Sequence, residues 1–310
     1  MMKSNSSVVI SVKDLYKTYG AVTAVNGISF EVKQGEVFGM LGPNGAGKTT
    51  TVEIIEGIRI YDRGTVTVLG MDVRRNVRSV KERIGVQPQT PALFPTLTVR
   101  EVVDFFRNLY NRSIPASEAI ELVAMEPSEK VLVKNLSGGQ QQRLSVALAF
   151  VNDPDIIFLD EPTTGLDPQA RRAMWEVIEK YRNTGKTIFL TTHYMEEAER
   201  LCDRVAIMDH GEIISLGTPR QMIDRNFRES AIQFKIDGHP GHDIMTELPG
   251  VTGVAEEDEE VIIYTENISA TIPALLELAS SSGTELTDMS IRQATLEDVF
   301  LKLTGKRIRD

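Results

Sequence analysis

The 310-residue chain contains one cysteine, one tryptophan and four histidines. With Cys202 alone, no internal disulfide can form and no thiolate metal cluster can assemble. Set in LCDRV, that cysteine reads as a packed core thiol. No stretch approaches the roughly 18 consecutive apolar residues that a membrane span needs. The opening MMKSNSSVVISVKDL also lacks the apolar centre of a secretory signal, so the cytoplasm is the expected compartment. An excess of positive charge is missing too. The formal net charge is −10, which removes long-range attraction to nucleic acid or an anionic membrane as a binding force. What remains is ordinary globular composition, 41% hydrophobic and 25% charged, in a chain long enough for one large and one small domain.

The first segment reads as strands. VVISVKDLYKTY and ISFEVKQGEVFGML are rich in β-branched and aromatic residues and are broken by glycine-containing turns. GEVFGML runs into LGPNGAGKTT, and TTTVEIIEG beyond it has helical spacing closed by Gly57. Helical pattern covers Val99 to Met125 and Gln140 to Val151. DIIFLDE and TIFLTTH are short, nearly all-apolar runs of the kind found in buried parallel strands, and the helix ARRAMWEVIEKYRN between them completes a βαβ unit. After the strand pair RVAIMD and EIISLG the texture changes, which places a domain boundary near 225–230 in the polar DRNFRES. Beyond it come the strands AIQFKI, VTGVA and EVIIYT, the helix TIPALLELASSS and a last strand near ELTDMSI. The acidic run EEDEE at 256–260 is expected to be a solvated hairpin turn, because a calcium site needs ligands at spaced loop positions.

Gly42, Pro43, Asn44, Gly45, Ala46, Gly47, Lys48 and Thr49 fit G-x-x-x-x-G-K-[ST] without a gap, between a strand and a helix. The glycines let successive N–H groups turn inward on a β-phosphate. Lys48 supplies charge to the β- and γ-phosphates, and the Thr49 hydroxyl suits Mg²⁺. Asp160 ends a buried strand where it can hold the Mg²⁺ shell, and Glu161 follows where a carboxylate can deprotonate an attacking water. His193 ends the TIFLTTH strand and places an imidazole at the same rim. A second glycine pair then needs a purpose, because LSGGQQQR (136–143) also stands before a helical pattern and offers amides to an anion.

Taken in order, Tyr19, LGPNGAGKTT, Gln89, LSGGQQQR, IIFLDE, GLDP and His193 resemble the nucleotide-binding subunit of ABC transporters, over roughly residues 8–220. The resemblance implies an α/β, P-loop NTPase cassette at 1–228. It has a mixed sheet core with an antiparallel β part and a helical subdomain at about 90–150, and a small C-terminal α+β domain follows at 229–310. It implies an ATPase with ATP and Mg²⁺ as cofactors. It also carries roles over. Tyr19 stacks on adenine, Gly42 through Thr50 hold the phosphates, and Thr49, Gln89 and Asp160 hold Mg²⁺. Glu161, His193 and Gln89 serve catalysis. Ser137, Gly138, Gly139 and Gln140 close over ATP bound by a second, facing subunit, which Asp167 in GLDP contacts. Gln87 is the rival glutamine; Gln89 is preferred because it directly follows Pro88.

The implied partners are a second nucleotide-binding subunit, expected to be another copy, and an integral membrane permease on a separate chain. Docking there would hold the protein at the cytoplasmic face of the membrane, with Ala92, Leu93 and Phe94 as candidate docking surface. The alternative is a soluble ATPase of this class acting on ribosomes or nucleic acid. That group carries tandem cassettes or long coiled-coil insertions, whereas this chain has one of each motif, no basic tract and no heptad run. No nucleic-acid partner is therefore expected. The closing QATLEDVFLKLTG (293–305) resembles the tail of ABC-2 type exporters, including antibiotic-resistance members, and points to export. In it Thr295 and Asp298 form a capping box, and Leu296, Val299, Phe300 and Leu303 share one helical face.

Overall fold

The computed structural model describes residues 7–90, 92–227, 229–237, 242–257, 260–282 and 284–304. The chain divides between Pro219 and Arg220 into two compact units.

In the first unit, β1 (Val8–Tyr19), β2 (Val22–Lys33) and β3 (Val37–Leu41) lead to α1 (Lys48–Ile55). Then follow β4 (Arg63–Val68), β5 (Met71–Asp72), α2 (Val77–Lys81) and β6 (Ile84–Gln87). Helices α3 (Val99–Arg107), α4 (Ala116–Leu122) and α5 (Gly138–Phe150) come next and contact one another as a helical subdomain. The unit closes with β7 (Ile156–Asp160), α6 (Pro168–Arg182), β8 (Thr187–Thr192), α7 (Met195–Leu201), β9 (Arg204–Asp209) and β10 (Glu212–Gly217).

One sheet runs β10-β9-β3-β8-β7-β6, parallel except for the β10–β9 pair; the other runs β2-β1-β4-β5 and is antiparallel. Every residue of β3 and β8 is buried, which accounts for their unalternating apolar sequences. The two sheets share one core. Phe30 stacks on Phe38 at 5.3 Å between centroids, and Phe38 and Phe158 both pack against Phe189, at 5.4 and 5.5 Å. Parallel order places the C-terminal ends of β3, β7 and β8 side by side, with Asp160 opposite Thr191. A side-chain carbon at Gly85 would lie 1.9 Å from the Ala149 carbonyl oxygen. Only glycine lets α5 approach β6 so closely.

The second unit holds α8 (Pro219–Asn226), β11 (Ser230–Asp237), α9 (His242–Thr246), β12 (Val251–Glu257), β13 (Glu260–Thr265), α10 (Ile268–Ser282), β14 (Glu285–Arg292) and α11 (Leu296–Thr304). Its antiparallel sheet runs β12-β13-β11-β14, a split β-α-β arrangement. Ile232, Phe234, Ile263, Met245 and Leu275 form its own core. The composition change suggested a boundary at 225–230, whereas the two compact units divide at the first residue of α8. That helix buries Met222, and its Asn226 carbonyl accepts from Lys302 Nζ on α11 at 2.6 Å. The Thr295–Asp298 capping box forms; Leu296, Val299 and Phe300 are buried while Leu303 is 37% exposed. Of the expected turn at 256–260, residues 258 and 259 lie outside the described residues.

Candidate functional site

The phosphate loop joins β3 to α1. Gly47 caps α1 with φ +101°, and a side-chain carbon there would meet the Ala24 carbonyl oxygen at 2.1 Å, so both backbone angle and space demand glycine. Lys48 is 6% exposed, and its Nζ donates to the carbonyls of Gly42 at 2.8 Å and Pro43 at 3.2 Å. Burial lowers its pKa, opposed by the carboxylates of Glu161 and Asp160. Thr51 turns inward and bonds Gly47 O at 2.9 Å, whereas Thr49 is exposed and Thr50 half-buried at the loop. Tyr19, at the end of β1, is 40% exposed; its hydroxyl accepts from Arg59 at 3.2 Å and Lys17 lies 4.9 Å from its ring centre.

The ends of β7 and β8 assemble a carboxylate centre. The Thr191 hydroxyl donates to Asp160 Oδ1. Burial pushes the Asp160 carboxyl up, with that hydroxyl opposing. The Glu161 carboxylate accepts from Gln89 Nε2 at 3.1 Å and Thr164 Oγ1 at 3.2 Å, and His193 Nδ1 lies 3.4 Å away. The His193 contact is the main reason that Glu161 sits below the usual carboxylate range, so it is ionised at neutral pH. Gln87 takes no part in this cluster. It is fully buried and donates to Pro88 O at 2.6 Å and Asp160 O at 3.4 Å, while its Oε1 has no partner among the described residues. Sequence reading passed over Thr191 and Thr164. The signal for Thr191 is strand register, because a TT pair ending one parallel strand falls beside the acids ending its neighbour.

The second glycine pair opens α5. Ser137 caps it, with Ser137 Oγ accepting from Gln140 N at 3.3 Å and Gln140 Oε1 from Ser137 N at 2.9 Å. The Gln140 amide also bonds Ser128 at 3.1 Å, so this side chain fixes the helix start, where Gly138 is exposed, Gly139 is half-buried and the first-turn amides have no partner within the helix. Asp167 caps α6, accepting from Ala170 N at 2.8 Å. Ser137, Gly138, Gly139, Gln140 and Asp167 line one cavity of about 560 Å³, which no phosphate-loop residue enters. The structure thus brings Lys48, Asp160, Glu161, Gln89 and His193 together and keeps the α5 residues apart from them.

A separate apolar groove of about 830 Å³ lies between α2 and the helical subdomain. Ala92 and Leu93 line it, whereas Phe94 stands outside against Phe105, edge to face at 5.2 Å. Among the described residues, no helix is long and apolar enough to cross a membrane.

Residues 25–164 match the family described as ABC transporter, and residues 219–304 match the C-terminal domain of DrrA1-3-like ATP-binding proteins. The chain is 39% identical to the Nod factor export ATP-binding protein I of Ralstonia nicotianae, over 98% of this chain and 96% of that protein. It is 36% identical to the linearmycin resistance ATP-binding protein LnrL of Bacillus subtilis, over 97% and 100%. Among solved structures, it matches a dimeric ATP-binding cassette in a post-hydrolysis state bound to ADP and Pi at 26% identity and TM-score 0.62, over 67% of this chain and 98% of the other. It matches cbiO1 from Clostridium perfringens, part of the ABC transporter complex cbiONQ, at 28% identity and TM-score 0.64, over 71% and 92%. With Lys48 seated in its loop, an ionised carboxylate beside it and relatives matched nearly end to end, the chain belongs to the ABC transporter ATP-binding proteins of the DrrA/NodI/LnrL-like exporter family and is an ATP-hydrolysing cassette.

Proposed function

We propose that two copies of this chain clamp ATP between them and power export through a separate integral membrane permease. One observation carries the reading. The two anion-binding elements of a single chain open into different spaces, so the α5 site is available to a phosphate held by a partner. In this arrangement Tyr19 stacks on adenine, Gly42 through Thr50 wrap the phosphates, and Lys48 leaves its two carbonyls for phosphate oxygens. Ser137 and the Gly138 and Gly139 amides close over the γ-phosphate of the facing subunit. Gln140 holds that helix start in place, and Asp167 lies at the junction.

The donors Thr49, Gln89 and Asp160 are all hard oxygens, which fits Mg²⁺. Among the described residues, no cluster of three or more His, Cys, Asp or Glu could hold a metal by itself, consistent with an ion shared with phosphate oxygens. When bound, Mg²⁺ neutralises charge on the phosphates. Glu161, ionised and aimed by Gln89 and Thr164, takes a proton from water as the water oxygen bonds to the γ-phosphorus. The bond from that phosphorus to the bridging oxygen then breaks. His193 meets the same carboxylate oxygen, Oε2, as Gln89 and Thr164.

Closure on ATP and opening after hydrolysis move the groove bordered by Ala92 and Leu93, just past Gln89, and a cytoplasmic segment of the permease seated there is carried along. Attachment through that segment holds the protein at the cytoplasmic face of the membrane. The permease selects the cargo. The test is Glu161→Gln, followed by light scattering with ATP and with ADP. It should hydrolyse ATP roughly 10²-fold or more slowly and run as a dimer with ATP alone. A monomer at saturating ATP would overturn the reading.

A further inference from the structure

Glu56 stands at the exit of α1 and lines the apolar groove, yet it is only 4% exposed. Its backbone N–H bonds Val52 O at 2.9 Å, and among the described residues no side chain or backbone group hydrogen-bonds its carboxyl. The rest of the groove is largely aliphatic or aromatic, with Ile58 and Leu109 exposed at 56% and 62% and Val86 and Phe106 half-buried. Among the described residues only the Lys81 charge offsets this acid, and burial of a carboxyl without a hydrogen bond is costly.

The charges that reach Glu56 are unequal. Asp160 from β7 and Glu53 from α1 add negative potential, whereas Lys81 from α2 opposes them through space without a hydrogen bond. Arg78 on α2, Glu82 just past it, the Tyr110 phenol and the Ser145 hydroxyl complete the polar lining. Burial, followed by the two neighbouring acids, pushes Glu56 up to about 8, so it carries its proton in the free cassette at neutral pH. Burial alone attracts no cation, but the negative potential of Asp160 and Glu53, which adds to burial in retaining the proton, favours another cation able to reach the same spot.

We propose that Glu56 is the specificity-determining acceptor of this groove, receiving one cationic side chain on an otherwise apolar cytoplasmic segment of the permease. This rests on the groove being the docking site. The apolar walls take the face of a short amphipathic helix, and the carboxyl at the floor fixes its register, because a cation placed elsewhere meets Arg78 and Lys81 at the rim. A neutral segment of the same shape leaves Glu56 unpaired and binds less well.

The probe is a short helical peptide of leucine and alanine with a single central lysine, compared with the same peptide carrying norleucine at that place, read by fluorescence anisotropy. Wild-type cassette should bind the lysine peptide about tenfold more tightly or better. Glu56→Gln, nearly isosteric, should bind both alike. Leu109→Asp, at the exposed rim, should weaken both. Equal affinity of the two peptides for the wild type would overturn the role of Glu56 while leaving the groove as a docking site. Binding of neither would overturn both. Neither outcome touches ATP-driven pairing, which the Glu161→Gln dimer reads separately.

Discussion

Glu161 has φ +50°, a left-handed conformation that costs a non-glycine residue on the order of 1–2 kcal/mol. Its N–H is held by both the carbonyl and the hydroxyl of Thr191, each at 3.1 Å, so the parallel strands oppose that cost and turn the carboxylate toward Gln89 and His193. At this scale the sequence shows which chemistry is present better than how it is mounted. Lys48, Asp160 and Glu161 stand in motifs from which the roles proposed for them were read. Gln87 is the fully buried last residue of β6, whereas Gln89 lies exposed beyond the strand and alone of the two reaches Glu161. Glu56 gives no local sign, because EIIEG reads as an ordinary helix exit and its isolation depends on α2 and the helical subdomain folding over it. Its pKa yields a pH test. In the unfolded chain Glu56 ionises near 4.5, while in the fold it keeps its proton to about 8. The wild type therefore loses stability across that interval and is level above it. Glu56→Gln should raise Tm by an amount that grows from about pH 5 to about pH 8 and then stays constant, as followed by differential scanning fluorimetry. A gain independent of pH would contradict the assignment.

Single elements carry double duties, and α5 shows how to separate them. Ser137 caps the helix and lines the cavity that we propose receives a partner's phosphate. Ser137→Asp keeps a good N-cap but sets a negative charge where the phosphate belongs. It should melt within about 0.5 kcal/mol of wild type and fail to pair with ATP. Ser137→Ala should lose about 1 kcal/mol from the missing cap. Normal ATP-driven pairing by Ser137→Asp, measured by light scattering, would remove the phosphate role. Elements buried on both sides, such as β7 and β8, were legible because their central residues, IIFL and IFL, run apolar without alternation. By contrast, α9 spans five residues, too few to develop a helical period, and no sequence signal marked it.

On the scale of the molecule, the second unit has a core of its own, which makes it separable. Truncation after Pro219 should leave ATP affinity unchanged, as read by a fluorescent nucleotide, while weakening pairing or coupling to the permease. Lost nucleotide binding would show instead that the cassette needs its C-terminal unit to fold. The existence of that unit was legible in the change of sequence texture. Its start was not, because α8 is polar outside its one buried methionine and joins the unit through a backbone carbonyl that composition cannot reveal.

Composite sites in a symmetric pair predict a particular kind of rescue. Lys48→Ala should be inactive because both of its sites lack the phosphate grip, and Ser137→Asp because both lack the closing element. An equimolar mixture forms mixed pairs in which both lesions fall in one site and the other site is whole. The mixture should regain about a quarter of wild-type ATPase activity if the two sites act independently. A mixture no more active than the mean of its two parents would mean that each chain completes its own active centre.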